Sequence, residues 1–308
     1  MTNPRPASGR ARSGSAALSP NLRGALLMCG SMAGFTFNDA IIKYLGTELP
    51  LFQIVVLRGV LTCFFIYLLA RRLGMFHLRF PAQDRVLVLI RCLSEVAVTY
   101  FFLNALLHMP LANVTAVLQA LPLTVTLGAA LFFREQVGWR RMLAIAVGFC
   151  GMLLIVRPGA EGFTQHSYFA LLAVVMITIR DLVTRQMSAQ VPSMMVTFAT
   201  ALTVTIAAGF ASLTEPWVPV TLPLAGLILT ASGFILLGYL CSVLVMRAGD
   251  VGFIAPFRYS GLIWALALGW MVFGDWPDPV TMLGGALVVA TGLFTLFRER
   301  FAQTQPKT

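Results

Sequence analysis

Charged residues make up only 11% of this 308-residue chain, less than half of the roughly 25% found in soluble domains. That shortage excludes an ordinary soluble globular protein. Paired cysteine spacing is also missing. Cys29, Cys63, Cys92, Cys150 and Cys241 are odd in number, form no CxxC and all fall in apolar stretches. They read as small packing residues, and neither a disulfide nor a metal site is expected. The three histidines (His77, His108, His166) are scattered at helix ends and loops. There is no Walker sequence, no HExxH and no GxSxG, so neither a nucleotide-driven machine nor an enzyme is expected, and no cofactor is implied. The lack of clustered carboxylates or histidines near an interface counts against an enzyme acting on lipid-linked substrates.

What is present is apolar: 58% hydrophobic residues and a mean hydropathy of +0.84. About 20 apolar residues cross a bilayer, and the pattern predicts an all-α integral membrane protein with ten spans. These run over about 22–47, 51–70, 84–107, 111–133, 139–156, 167–188, 193–213, 221–246, 252–273 and 279–298. Residues 1–21 are polar, basic and rich in Ser, Pro and Gly, and read as a disordered cytoplasmic tail; 299–308 form a second cytoplasmic tail. The net charge of +10 does not point to nucleic acid, because the basic residues gather in short loops on alternate sides. With the N-terminus inside, sixteen Lys and Arg fall on inner segments, and only Lys43 and Arg157 on outer ones. The positive-inside rule then places both termini in the cytoplasm.

The stretch 105–158 returns in outline from Val245. A shift of 140 lays Phe133 on Phe273 and Glu135 on Asp275, and one extra residue lays Gly151 on Gly292. At a shift of 142, Asp39, Lys43 and Pro50 fall on Asp181, Arg185 and Pro192. The chain therefore reads as two repeats of five helices, 22–158 and 165–298. Five is odd, so the second repeat is inverted, an architecture of secondary transporters.

A charge at membrane depth costs about 2.5–3.5 kcal/mol on insertion scales, so such groups face the bundle interior and pair, or mark a solute path. Here they are Asp39, Arg58, Arg91, Glu95, Arg180, Asp181 and Arg258. Asp39–Lys43, Arg91–Glu95 and Asp181–Arg185 are spaced for local pairs, and Arg180 and Arg185 for snorkelling to the surface. Arg58 and Arg258 have no acid three or four residues away on their own helix, which makes them the first candidates for substrate contact. Four deep arginines against three acids leave one positive charge in excess, which suits neutral or anionic solutes. Asp39, Arg91, Glu95 and Asp181 are candidates for coupling or structural charge pairs, with Asp39 and Glu95 nearest the midplane.

Among uncharged groups, Asn38, Tyr100, Gln119, Tyr259 and Trp264 are candidate ligand contacts, and Gln119 and Tyr259 occupy equivalent places in spans four and nine. Interhelical hydrogen bonding is the structural alternative for such residues. Gly30 and Gly34 make a GxxxG step suited to close packing, and Pro122 a kink in span four.

Ten spans, two inverted halves and the segment SMAGFTFNDAIIKYL followed by QIVVLRG resemble the drug/metabolite transporter superfamily, EamA branch, over about residues 22–298. The resemblance implies a basket of ten helices with a central cavity and alternating access, in the bacterial inner membrane. NLRGALLM, FNDAIIKYL and VVLRG further resemble two bacterial groups, riboflavin permeases and S-adenosylmethionine uptake carriers. The positive excess favours riboflavin as the small-molecule partner, because it opposes a sulfonium cation. Amino-acid and drug exporters share the fold. A membrane scaffold without transport is the reading from another class; it requires no polar cavity.

Overall fold

The computed structural model describes residues 19–72, 82–134, 138–157, 165–188, 191–245 and 251–304. All regular elements among them are helical. The α-helices are α1 (Pro20–Leu45), α2 (Leu51–Arg72), α3 (Arg85–His108), α4 (Leu111–Leu118), α5 (Leu121–Phe133), α6 (Trp139–Val156), α7 (Gln165–Gln186), α8 (Ser193–Ala211), α9 (Leu222–Val245), α10 (Val251–Ile254), α11 (Ser260–Phe273) and α12 (Pro279–Thr304). Among the described residues, nine helical stretches are long and apolar enough to cross a membrane, which makes this a multi-pass membrane protein. Residues 1–18 and 305–308, together with Glu135 and Arg247, lie outside the described residues.

Local chemistry sets the boundaries. The Ser19 hydroxyl accepts from the Leu22 N–H at 3.3 Å, and Pro20 occupies the first turn, where a missing N–H costs nothing. The helix therefore starts just inside the expected tail. At the other end α12 runs on to Thr304, beyond the expected limit at 298. Proline also divides two of the expected spans. Pro122 offers no N–H to the Leu118 carbonyl, and span four breaks into α4 and α5 around Gln119–Ala120. Span nine is likewise not continuous: Pro256 sits in a 3-10 turn, Ala255–Tyr259, between α10 and α11. A proline within a helix removes one hydrogen bond and clashes with the preceding turn.

Helices meet where side chains are small, as membrane packing requires. α1 packs on α9 at Gly34, where an added Cβ would lie 2.8 Å from the Phe234 carbonyl oxygen. Ser31 donates to the Gly238 carbonyl at 2.9 Å beside this crossing. Within the GxxxG step, Gly34 thus brings two backbones together, whereas at Gly30 an added Cβ would meet only the Cys241 sulfur, at 3.7 Å. α3 packs on α7, α2 on α8, and α6 on α12. Two apolar cores result. One gathers Ile42, Leu45, Ile54, Leu106 and Leu111, the other Val98, Val117, Ile155, Val174 and Val288. Polar ties close the ends of the bundle. Gln53 donates to the Val218 carbonyl (2.7 Å) and accepts from its N–H (2.9 Å). Asp84, itself buried, accepts from the Ser188 hydroxyl (2.6 Å) and N–H (3.1 Å).

Candidate functional site

Six of the seven deep charges come together between α1, α2, α3 and α7. The centre is Arg180 on α7, whose guanidinium lies 3.2 Å from a Glu95 oxygen on α3 and 2.9 Å from Asp181. Neighbouring positions cannot normally face each other on a helix, but the long arginine side chain folds back onto the next residue. Arg91, one turn before Glu95, donates to the Thr184 hydroxyl at 2.6 Å. On the far side, Arg58 of α2 donates to the Asn38 carbonyl oxygen at 3.3 Å, and the Asn38 amide donates to Asp39 at 2.9 Å. Arg58 lies within electrostatic reach of Asp39, Glu95 and the Tyr239 hydroxyl of α9. All six charged side chains are half-buried. Residues in the middle of membrane helices that still keep accessible surface line a cleft rather than a dry core.

This arrangement corrects several expectations. Glu95 pairs across helices with Arg180, not with Arg91, because the Arg180 guanidinium occupies its carboxylate. Lys43 does not pair with Asp39; its ammonium donates to the carbonyls of Leu106 (3.0 Å) and Met109 (2.7 Å), capping the end of α3. Cations at a helix C-terminus are favoured by the exposed carbonyls and the dipole. Arg180 is not a snorkelling residue but the hub of the cluster. Arg185 lies over the Phe133 ring, 5.8 Å from its centroid. Arg258, expected deep, is exposed in the 3-10 turn. The cluster itself holds three arginines against three acids, without a positive excess of its own.

The uncharged candidates separate. Asn38 is fully buried and central. Gln119 sits at the α4–α5 break, against Gly261 of α11. The Tyr259 hydroxyl is buried against Gly292 of α12, with no hydrogen-bond partner among the described residues. Trp264 is partly exposed and tilts over Phe37, the neighbour of Asn38, at 6.0 Å. Tyr100 is exposed and joins Phe52, Phe101 and Phe169 in an aromatic group. Sequence reasoning missed Tyr239, whose signal was a lone polar aromatic beside Gly238 in an otherwise apolar helix. A separate cavity of about 410 Å³ lies between α4, α11 and α12, lined almost wholly by apolar residues such as Ala112, Leu262, Leu266 and Val289.

At one end of α6, Arg157 pairs with Asp278, which caps α12. Asp278 accepts from the Val280 N–H (3.0 Å), the Thr281 N–H (3.2 Å) and the Thr281 hydroxyl (2.8 Å). Partial burial pushes its carboxyl up, but the donors of Thr281, Arg157 and Val280 together outweigh this and hold it at about 2 against an ordinary 3.8. The folded value lies below the unfolded one. The cap's contribution is therefore complete above about pH 4 and is lost as the pH falls towards about 2. Asp278→Asn should lower the melting temperature of the detergent-solubilised protein near neutral pH, and the difference from wild type should close as the pH approaches about 2–3.

Comparison with known proteins follows the same lines. Residues 22–157 match the EamA-like transporter family. An S-adenosylmethionine uptake transporter of Rickettsia conorii is 26% identical over 282 residues, covering 89% of this chain and 92% of the relative. The pseudopaline exporter CntI of Pseudomonas aeruginosa is 28% identical over 261 residues (84% and 91%). A riboflavin transporter of Rhizobium johnstonii is 27% identical over 245 residues (77% and 78%). One solved crystal structure superposes with a TM-score of 0.63 over 90% of this chain and 98% of that one, at 19% identity, and so shares the fold. Together, the family match over the first half and these relatives make the chain similar to membrane transporters of the EamA family. They agree with the resemblance to the drug/metabolite transporter superfamily.

Proposed function

We propose that this chain is a secondary transporter of the bacterial inner membrane that moves a small polar metabolite by alternating access. The charge cleft carries this reading: three arginines and three acids, half-buried, where helices from both halves of the chain meet. A scaffold would have no use for such a cleft.

The inverted repeat, residues 22–158 against 165–298, is supported by the packing. Exchange of the first five spans with the second five turns the α1–α9 pair into α3–α7, and α2–α9 into α3–α8. The α2–α8 and α6–α12 pairs map onto themselves. After the aligned Phe133 and Phe273, Arg134 and Gly274 both take left-handed backbone, with φ of 55° and 70°. Both termini lie in the cytoplasm on this reading, with Asp275 and Asp278 outside, in keeping with the basic inner loops.

Uptake is the direction, and riboflavin and S-adenosylmethionine are the two substrates to test first. The charge count no longer separates them, because a balanced cleft does not repel a sulfonium. Coupling falls to Asp39, since Glu95 is already taken up in the ion pair with Arg180. The experiment is uptake of each labelled compound by cells that lack their own carrier for it. Saturable accumulation of one above the vector control is expected. No accumulation of either, nor of a labelled amino acid in either direction, would favour the scaffold.

A further inference from the structure

Arg58 and Asp39 stand apart from the rest of the cleft. The Arg180 guanidinium is shared between two carboxylates, and Lys43 is spent on two carbonyls. Arg58 has five N–H donors, and among the described residues it uses one, towards Asn38. Among the described residues, no carboxylate lies within ion-pair distance of it. Asp39 likewise accepts from Asn38 through one oxygen, and among the described residues nothing donates to the other. If these charges served only to neutralise each other, the shortest arrangement would be a direct ion pair. Instead the buried Asn38 amide stands between them, donating to the acid and accepting from the base, so that it fixes both and fills neither. Unfilled donors and acceptors away from bulk water are costly, and a pair of opposite charges held one amide apart is preorganised for a ligand carrying both signs.

We infer that Arg58, Asn38 and Asp39 form a receptor for an α-amino-acid head on the carried metabolite, Arg58 taking the carboxylate and Asp39 the ammonium group. In an α-amino acid the two charges sit on one carbon, so a single head reaches both partners. The planar arginine fork matches a carboxylate, and the Tyr239 hydroxyl, electrostatically coupled to Arg58, adds a polar group at the same wall. Riboflavin has no such head, so this assignment also selects between the two candidate substrates. It rests on the transporter reading above.

The test uses the full chain in proteoliposomes, with labelled S-adenosylmethionine as probe. Methionine and S-adenosylhomocysteine, which keep the head, should compete. Decarboxylated S-adenosylmethionine, which keeps the sulfonium and loses the carboxylate, should compete at least about tenfold more weakly. In Arg58→Met that preference should fall to near one, and Arg58→Lys should recover part of it, since it restores the charge without the fork. Equal competition by the decarboxylated compound in the wild-type protein overturns the assignment and needs no variant to fold. Riboflavin carried, with zwitterions failing to compete, overturns it while leaving the transporter reading intact. Proteoliposomes that move none of the probes remove both.

Discussion

Arg180→Met should leave little folded protein. The substitution keeps most of the side chain's length and apolar bulk but takes from Glu95 and Asp181 the one cation that pairs directly with both. Removing one partner of a buried ion pair costs about 3–5 kcal/mol, and here two acids lose the same partner. Detergent extracts should show a collapsed monodisperse peak on size exclusion and a sharply lowered melting temperature. Neutralising the acids as well, in Arg180→Met with Glu95→Gln and Asp181→Asn, should restore much of the folded protein. Arg91→Met is the control: its hydrogen bond goes to the Thr184 hydroxyl, so a loss of only about 1–2 kcal/mol is expected. Equal damage from both arginine changes would show that Arg180 is not the hub.

Gly284→Ala should be nearly as damaging, while Gly285→Ala is tolerated. A Cβ on Gly284 would meet the Gly151 carbonyl oxygen at 2.6 Å and Ile155 at 2.8 Å, so α6 and α12 must separate along their length. Backbone contacts of this kind cannot relax as a side chain can, and overpacking costs about 1–3 kcal/mol or more. The adjacent Gly285 would bring its Cβ no nearer than 3.8 Å to Ala116 and Leu262, an ordinary contact, and should change stability by about 0.5 kcal/mol or less. Melting of the two variants side by side reads the difference directly, because helix propensity changes equally in both.

Much of the architecture was legible in the sequence because membrane crossing imposes a simple length and hydropathy rule. Eight of the ten expected spans emerge as single helices whose ends shift by a few residues. The two that divide do so around Pro122 and Pro256, where a kink was foreseen at the first but not the second. The list of deep charges was also legible, since each stands out against an apolar helix. Their partners were not. Spacing along one helix suggested Arg91–Glu95 and Asp39–Lys43, yet Glu95 finds Arg180 across an interface, and Lys43 finds carbonyls at the end of α3. Same-helix periodicity carries no information on which helices become neighbours. Arg258 was read only from its position within an apolar run; it stands exposed in the 3-10 turn that contains Pro256, which no helical periodicity foretells. Tyr239 was passed over because a single tyrosine in a membrane helix carries no pattern of its own.

Alternating access requires that the cleft around Asn38, Asp39 and Arg58 open to each side of the membrane in turn. The measurement that bears on it most directly is two-sided labelling of Asn38→Cys in a protein whose five native cysteines have been replaced. A small impermeant thiol reagent should reach position 38 from outside in intact cells and from inside in inverted vesicles. Labelling from one side only, or from neither, would contradict alternating access through this cleft.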